Sequence, residues 1–337
     1  MTPDTLPAGP PGPGPTQLTA RSPVDLIAAS AVVLGFWPSE SVVMLTFDAT
    51  HPFHARVDLP DDARAMRALA DTLVRPALQH RVGRVVLLVH TDHPRRAADA
   101  WRALRTVFRR HDVPIIEALH VGPERWFPLQ GGDHDLRRRG VPLDRGALDV
   151  HPFLAQAVVD GRVLRGSRTE LAESLAPDAA GVARVAALAA HTEPPADLAT
   201  RAGRLAEGTW VHATVRRLLA TGATASDDDA TRLLRGMREL RVRDAAWSAI
   251  DRAAARSAAA LFADLVRRAP DDLVAAPAGV LAWAAWQSGD GALAWCAIER
   301  CEQVEPDHGL ARLVAEALER AVPPSVWDDG FDWKEGL

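Results

Sequence analysis

The side chains best suited to chemistry form a short polar cluster at His90, Asp92 and His93. They follow the apolar run 85–89, which predicts a strand buried on both faces. Ligands gather at the carboxyl ends of strands in open α/β sheets, so two imidazoles and a carboxylate placed there suit metal binding or acid–base catalysis. A structural interpretation competes with this one: Asp92 or Thr91 caps the helix that follows, and His93 is simply exposed.

Two further groups of polar residues resemble parts of a site. Asp133, His134 and Asp135 lie in a predicted loop and form half of a metal-binding set. No third or fourth ligand stands close to them in the sequence, which favours an ordinary solvated loop. His51 and His54 flank a predicted hairpin turn. We therefore predict no bound metal and no cofactor.

The two cysteines, Cys296 and Cys301, are five residues apart on a predicted helix. Five residues turn a helix by about 140°, so the two sulfur atoms face different directions and we expect small packed side chains. The sequence contains no phosphate-binding Gly-Lys-Ser/Thr loop, dinucleotide glycine pattern, Gly-x-Ser-x-Gly elbow or His-Glu-x-x-His helix. These absences weigh more against an enzyme than the weak clusters weigh for one.

The chain has 337 residues, enough for two domains and a sizeable core. Its net charge of −5 argues against a nucleic-acid-binding protein that neutralises phosphates. The basic run 137–139 fits a solvated loop better than a contact with an anionic partner. No apolar run reaches the roughly 18 residues of a membrane span, and the N-terminus lacks the pattern of a signal peptide. We expect a cytoplasmic protein that binds neither nucleic acid nor membrane.

The elements that position these side chains begin with a helix, a sharp corner and a strand between Ser22 and Asp48. Ser22 and Asp25 predict a capping box, and Gly35 predicts a left-handed residue that ends the helix. The β-branched run 41–47 then predicts a buried strand. Up to residue 129 the order β-β-α-β-α-β-β predicts an α/β domain with a mixed sheet and flanking helices.

From residue 151 onwards the pattern is helical. Small residues at Ala282, Ala294 and Cys301, followed by Pro306, have a spacing similar to that of a tetratricopeptide repeat, although an isolated helical hairpin fits equally well. We divide the chain into a disordered Pro/Gly-rich leader (1–15), an α/β domain (16–150), an all-α and partly tetratricopeptide-like helical domain (151–325) and an acidic aromatic tail (326–337).

Three tryptophans in the helical region predict an interaction surface. Trp283 and Trp286 share one helix face, and Trp295 lies on the next helix. A single hairpin can hardly enclose all three rings, so we expect at least one to be exposed beside the acidic tail. Aromatic rings anchor interfaces more often than most side chains do, which indicates a protein partner or self-association.

Several motifs together resemble a known family. They are Ser22-Pro23-x-Asp25-Leu26, Leu34-Gly35-Phe36-x-Pro38-x-x-Ser41-Val42-Val43, Arg56-Val57-Asp58-Leu59-Pro60, Gly140-Val141-Pro142-Leu143-Asp144, Arg241-Val242-Arg243-Asp244, Ala282-Trp283, Gly289-Asp290-Gly291-Ala292-Leu293-Ala294 and Val322-Pro323-Pro324-Ser325-x-Trp327. The chain resembles the actinobacterial family called domain of unknown function 4192 over nearly its whole length. The resemblance implies no activity and no catalytic residues. Many members carry several cysteines before the Gly-x-Pro-Leu-Asp segment, whereas the stretch 125–132 here has none.

Two functional classes follow from these observations. The first is a non-enzymatic interaction or regulatory protein whose helical C-terminal region binds a partner. The alternative is an enzyme, such as a metal-assisted hydrolase, acting at the carboxyl edge of the sheet near His90, Asp92 and His93. A cleft in which those side chains converge with a second polar segment would favour the enzyme.

Overall fold

The structure, a computed structural model, describes residues 19–192, 197–328 and 331–335. Six strands form one sheet in the order β2-β1-β3-β4-β5-β6, with β3 and β4 parallel and all other neighbours antiparallel. The strands are β1 (Ser41–Phe47), β2 (His54–Asp58), β3 (Arg84–His90), β4 (Ile115–Val121), β5 (Arg125–Pro128) and β6 (Val141–Pro142). The predicted mixed sheet is confirmed, whereas the predicted disordered leader lies outside the described residues.

Helices make up most of the rest of the described chain. They are α1 (Pro23–Leu34), α2 (Ala63–Gln79), α3 (Pro94–Arg110), α4 (His134–Arg139), α5 (Arg145–Asp149), α6 (Pro152–Val159), α7 (Arg168–Glu173), α8 (Ala179–His191), α9 (Arg201–Thr221), α10 (Asp227–Gly236), α11 (Leu240–Ser248), α12 (Ala255–Arg268), α13 (Ala275–Gln287), α14 (Gly291–Glu302) and α15 (Gly309–Glu319). The predicted helix-rich C-terminal region is confirmed. None of these helices has both the length and the apolar character needed to cross a membrane.

The two faces of the sheet pack against different helices. Side chains alternate along each strand, so β1 sends Val42 and Met44 to one face and Val43 and Leu45 to the other. The first face is covered by α2 and α3, and the second packs against α1 and a core that continues into the helical region. One hydrophobic core therefore crosses the predicted domain boundary near residue 150, and the boundary itself stays a prediction.

The predicted helix, corner and strand are confirmed. The Ser22 hydroxyl accepts a hydrogen bond from the Asp25 amide at 3.2 Å, and the Asp25 carboxylate accepts one from the Ser22 amide at 3.0 Å. Gly35 has a φ of 75°, and its amide donates to the Ala31 carbonyl at 2.9 Å. Interactions within a few residues therefore fix both ends of α1, and the chain continues from the corner into β1.

Two predicted segments differ from the structure. The predicted loop after residue 131 contains the short helices α4 and α5, because the carboxylates of Asp133 and Asp144 cap their first turns. The predicted helices 227–240 and 244–268 are divided into three. The Glu239 carboxylate accepts hydrogen bonds from the amides of Arg241 and Val242, which starts α11 as a separate helix. The tetratricopeptide-like character of the α13–α14 hairpin stays a prediction.

A substitution at Gly35 tests how much the left-handed corner contributes to stability. A Cβ atom at Gly35 meets no atom within 4 Å, so only the backbone conformation opposes a side chain there. Because a left-handed residue with a Cβ costs about 1 kcal/mol or more, Gly35→Ala should lower the free energy of unfolding by about that amount. Urea denaturation measures the difference. Gly309→Ala is the matched control, since Gly309 has equal space and begins a helix, and it should be neutral or slightly stabilising. Equal effects of the two substitutions would contradict the argument.

Candidate functional site

The structure does not bring the side chains of His90, Asp92 and His93 together. His90 is 4% exposed and lies between Ser41 of β1 and Val121 of β4, on the face of the sheet that packs against α1. Asp92 and His93 lie in the turn after β3 and are exposed. The alternation of side chains along the strand places one imidazole in the core, and the turn directs the other groups to solvent.

The turn after β3 is held by Glu40 rather than by its own aspartate. The Glu40 carboxylate accepts hydrogen bonds from the Thr91 hydroxyl at 2.8 Å and the Asp92 amide at 3.2 Å, and it pairs with Arg96 at 2.6 Å. His93 occupies the N-cap position of α3 without a side-chain bond to the first turn. The prediction that Asp92 or Thr91 would cap α3 is therefore wrong, because Glu40 binds the turn from the neighbouring segment.

His90 belongs to a row of buried polar groups across the sheet. Ser41 pairs with His90, and Trp126 lies beyond Val121 in the same row. The Ser41 hydroxyl, His90 Nε2 and Trp126 Nε1 are buried without a hydrogen-bond partner among the described residues. Burial, together with the positive charges of Arg145 and Arg56, lowers the pKa of His90 to about 3. A neutral imidazole closed off from solvent is poorly placed to exchange protons with a substrate.

The remaining polar candidates have structural surroundings. The Asp133 carboxylate caps α4 by accepting from the Leu136 amide at 2.6 Å, and the neighbouring His134 and Asp135 are exposed. His54 accepts a hydrogen bond from the Thr46 amide through Nδ1 at 3.2 Å. Among the described residues, no three histidine, cysteine or acidic side chains are grouped so as to hold a metal ion.

The three tryptophans predicted to bind a partner are in unequal positions. Trp283 and Trp286 are 3% and 4% exposed, and their ring centroids lie 5.2 Å apart. Trp247 and Trp327 also pack against Trp283, so the enclosure that a single hairpin lacks is supplied by other helices and by the tail. Trp295 alone is half-buried and reaches a surface groove. Of the three rings, Trp295 is therefore the one accessible to a partner, and partner binding stays a prediction.

A groove of about 550 Å³ lies between the edge of the sheet and the helical region. We call it the junction groove. One wall is β2, the floor includes the end of α1 and part of α2, and the far wall is formed by α14 and the end of α15. Its apolar lining includes Phe36, Phe53, Leu73, Trp295 and Leu318.

The strand along this groove has a free edge. In the sheet β2 is bonded on one side only, to β1. The Leu59 amide donates to the Glu40 carbonyl, and in an antiparallel ladder such pairs alternate, so the peptide groups of His54, Arg56 and Asp58 point away from β1. These groups form no hydrogen bond with any other described part of the chain. The groove therefore presents backbone donors and acceptors beside an apolar lining.

Two ion pairs give the junction groove its polar character. Arg56 contacts Asp58 at 2.7 Å on the β2 side, and Arg168 contacts Glu299 on the helical side. The Glu299 carboxylate outweighs the effect of burial and raises the pKa of Arg168. Each of these two positive charges therefore has a carboxylate partner beside it.

Comparison with known protein families identifies the family of this chain. The model of the family Domain of unknown function (DUF4192) matches residues 23–325. The chain belongs to this family. Three of the segments by which it resembles DUF4192 line the junction groove, namely those containing Phe36, Arg56 and Gly289. No curated protein and no solved structure matches the chain significantly.

Sequence reasoning missed the junction groove. Its walls come from segments more than 200 residues apart, and no single stretch carries an unusual pattern. The alternation in β2 predicted a strand but not that the strand would lie at the edge of the sheet. The one available signal was Trp295, which was predicted as a contact residue and does line the groove.

The buried state of His90 predicts a pH dependence of stability. The unfolded chain binds a proton at the ordinary pKa of 6.5, whereas the folded chain does so only near pH 3. The stabilisation is therefore complete above pH 6.5 and is lost as the pH falls, with a slope approaching about 1.4 kcal/mol per pH unit from this residue. In His90→Gln, the unfolding free energy should fall less steeply between pH 6.5 and 5, because unfolding then binds nearly one proton fewer than it does in the wild-type protein.

Urea denaturation at several pH values measures this slope. His93→Gln is the control, because His93 is exposed and its loss should leave the slope unchanged. If His90→Gln and the wild-type protein had the same slope, His90 would be protonated in the folded state.

Proposed function

We propose that this protein is a cytoplasmic binding protein that holds an extended, largely apolar segment of a partner protein in the junction groove. The segment pairs with β2 as an additional strand, and its alternate side chains lie against the helical wall. The observation that carries the proposal is the free edge of β2, with the outward peptide groups of His54, Arg56 and Asp58 inside an apolar groove.

The dimensions and lining of the groove support an extended peptide. Five residues of β2 run along it, which is the usual length of a strand in this kind of recognition. Backbone pairing supplies affinity regardless of sequence, and apolar contacts with Phe36, Trp295 and Leu318 supply selectivity. Because both arginines are already paired with carboxylates, we expect the groove to prefer apolar over charged side chains.

The enzymatic alternative has less support from the geometry. It requires His90, Asp92 and His93 to meet in a cleft, but the first is buried and the other two are exposed outside the groove. The binding proposal keeps the expected contribution of the helical region, since α14 and α15 form the far wall of the groove.

Selection from a random dodecapeptide library displayed on phage tests the proposal without knowledge of the partner. Peptides recovered with the wild-type protein should be rich in apolar and β-branched residues at alternate positions. Ala292→Phe fills the helical side of the groove and should weaken the binding of a selected peptide by more than tenfold, as measured by calorimetry. Hydrogen exchange at the amides of His54, Arg56 and Asp58 should slow when the peptide is bound.

Ala187→Phe is the matched control, because Ala187 is exposed in the middle of α8 and lies outside the groove. It should leave the affinity unchanged, and the thermal midpoints of both variants show whether they remain folded. Selected peptides that bind wild type and Ala292→Phe equally, or a selection that recovers none, would contradict the proposal.

A further inference from the structure

A second cavity, beside the junction groove, is lined by four arginines. Its volume is about 380 Å³, and it shares only Val33 and Gly289 with the groove. We call it the arginine pocket. Arg162 and Arg165 come from the segment between α6 and α7, whereas Arg256 and Arg267 project from α12. Four like charges around one small cavity repel one another unless something compensates them.

The contacts of these arginines leave an excess of positive charge. The Arg162 guanidinium donates to the Val32 carbonyl at 3.4 Å, and that of Arg256 donates to the Asp160 carbonyl at 2.6 Å. Carbonyl oxygens fix the positions of these groups but carry no full negative charge. Arg267 contacts the Asp264 carboxylate at 3.4 Å, and that carboxylate also binds Arg268.

One carboxylate, Asp290, lies in the lining of the arginine pocket. It caps α14 by accepting a hydrogen bond from the Leu293 amide at 2.9 Å. Burial raises the pKa of Asp290, while the charges of Arg162 and Arg256 act in the opposite direction. Arg267 already has the Asp264 carboxylate as a partner, and a single carboxylate occupied as a helix cap cannot balance the three other guanidinium groups, so the pocket attracts an anion.

The rest of the lining shows which kind of anion fits. Val33, Val163, Leu171, Leu175 and Leu293 supply apolar surface within the same cavity. Inorganic phosphate alone would leave that surface in contact with water. An apolar group joined to the anion would cover it, because burying apolar area is favourable.

The position of Arg165 is set by the backbone. Its amide donates to the Gly35 carbonyl at 2.9 Å, and its carbonyl accepts from the Trp37 amide at 3.2 Å. The segment that carries two of the arginines is therefore fastened to the end of α1. Such prior positioning lowers the entropy cost of gathering guanidinium groups around a ligand.

We propose that the arginine pocket binds a small organic phosphate, with the phosphate on the guanidinium groups and an apolar body against the leucine and valine side chains. A phosphate monoester carries between one and two negative charges at neutral pH, which suits the excess positive charge better than a carboxylate does. One guanidinium group can also donate two hydrogen bonds to the oxygens of a phosphate. The proposal is independent of peptide binding in the junction groove.

Calorimetric titration of the full chain with phenyl phosphate, 1-naphthyl phosphate and hexyl phosphate tests the proposal. At least one ester should bind saturably, and at least tenfold more tightly than both inorganic phosphate and benzoate. Inorganic phosphate represents the anion without the apolar body, and benzoate represents a carboxylate with one. Absence of saturable binding by all three esters, or equal binding of inorganic phosphate or benzoate, would overturn the proposal.

Charge-removing variants locate the binding. Arg162→Gln and Arg256→Gln should each weaken the best ester by at least tenfold, and Ala260→Phe, which fills the pocket from α12, should abolish binding. Arg312→Gln is the control, because Arg312 is exposed on α15 and lies outside the pocket. Three separate variants keep the test decisive if one of them fails to fold. Affinity unchanged in all the folded pocket variants would refute this location.

Discussion

Two backbone hydrogen bonds between the corner after α1 and Arg165 set the geometry on which both cavities depend. Gly35 accepts from the Arg165 amide, and Trp37 donates to the Arg165 carbonyl. Each bond contributes only about 1 kcal/mol of net stability, so most of the free energy that holds the two regions together comes from their shared core. The two bonds fix the position of Arg165 relative to the corner after α1. They place the start of the helical region against a corner whose conformation is set by Gly35. Val33, just before that corner, lines both the junction groove and the arginine pocket.

The features that sequence analysis predicted well depend on local chemistry. The capping box at Ser22, the left-handed Gly35 and the apolar run of β3 each act within a few residues, and each is present in the structure. The helix boundaries that differ from the prediction also result from local chemistry, namely from capping side chains. Asp133 caps a short helix in a stretch that the sequence predicts to be a loop, and Glu239 caps a helix that the apolar pattern alone does not separate from its neighbours.

The candidate site depended on information that is not local. His90, Asp92 and His93 are neighbours in the chain, yet the alternation of β3 buries the first and the turn exposes the others. Glu40, which holds that turn, lies about 50 residues earlier and adopts a φ of 38° that no sequence pattern predicts. Whether β2 was an edge or an interior strand depended on the order of all six strands. The groove could therefore be recognised only once the helical region was placed opposite that edge.

In the binding mode that we propose, the helical wall lets an exposed strand edge serve recognition without causing aggregation. A free edge normally invites a second sheet edge to pair with it, which leads to uncontrolled association. Here α14 and the end of α15 line the same groove as β2, and covering an edge with a helix is one of the ways in which proteins protect it. A single extended chain is much thinner than a sheet and its flanking helices, and it is the occupant that we propose for the groove. In this proposal the wall that covers the edge also supplies Trp295 and Leu318 as contacts, so protection and selectivity would arise from one arrangement.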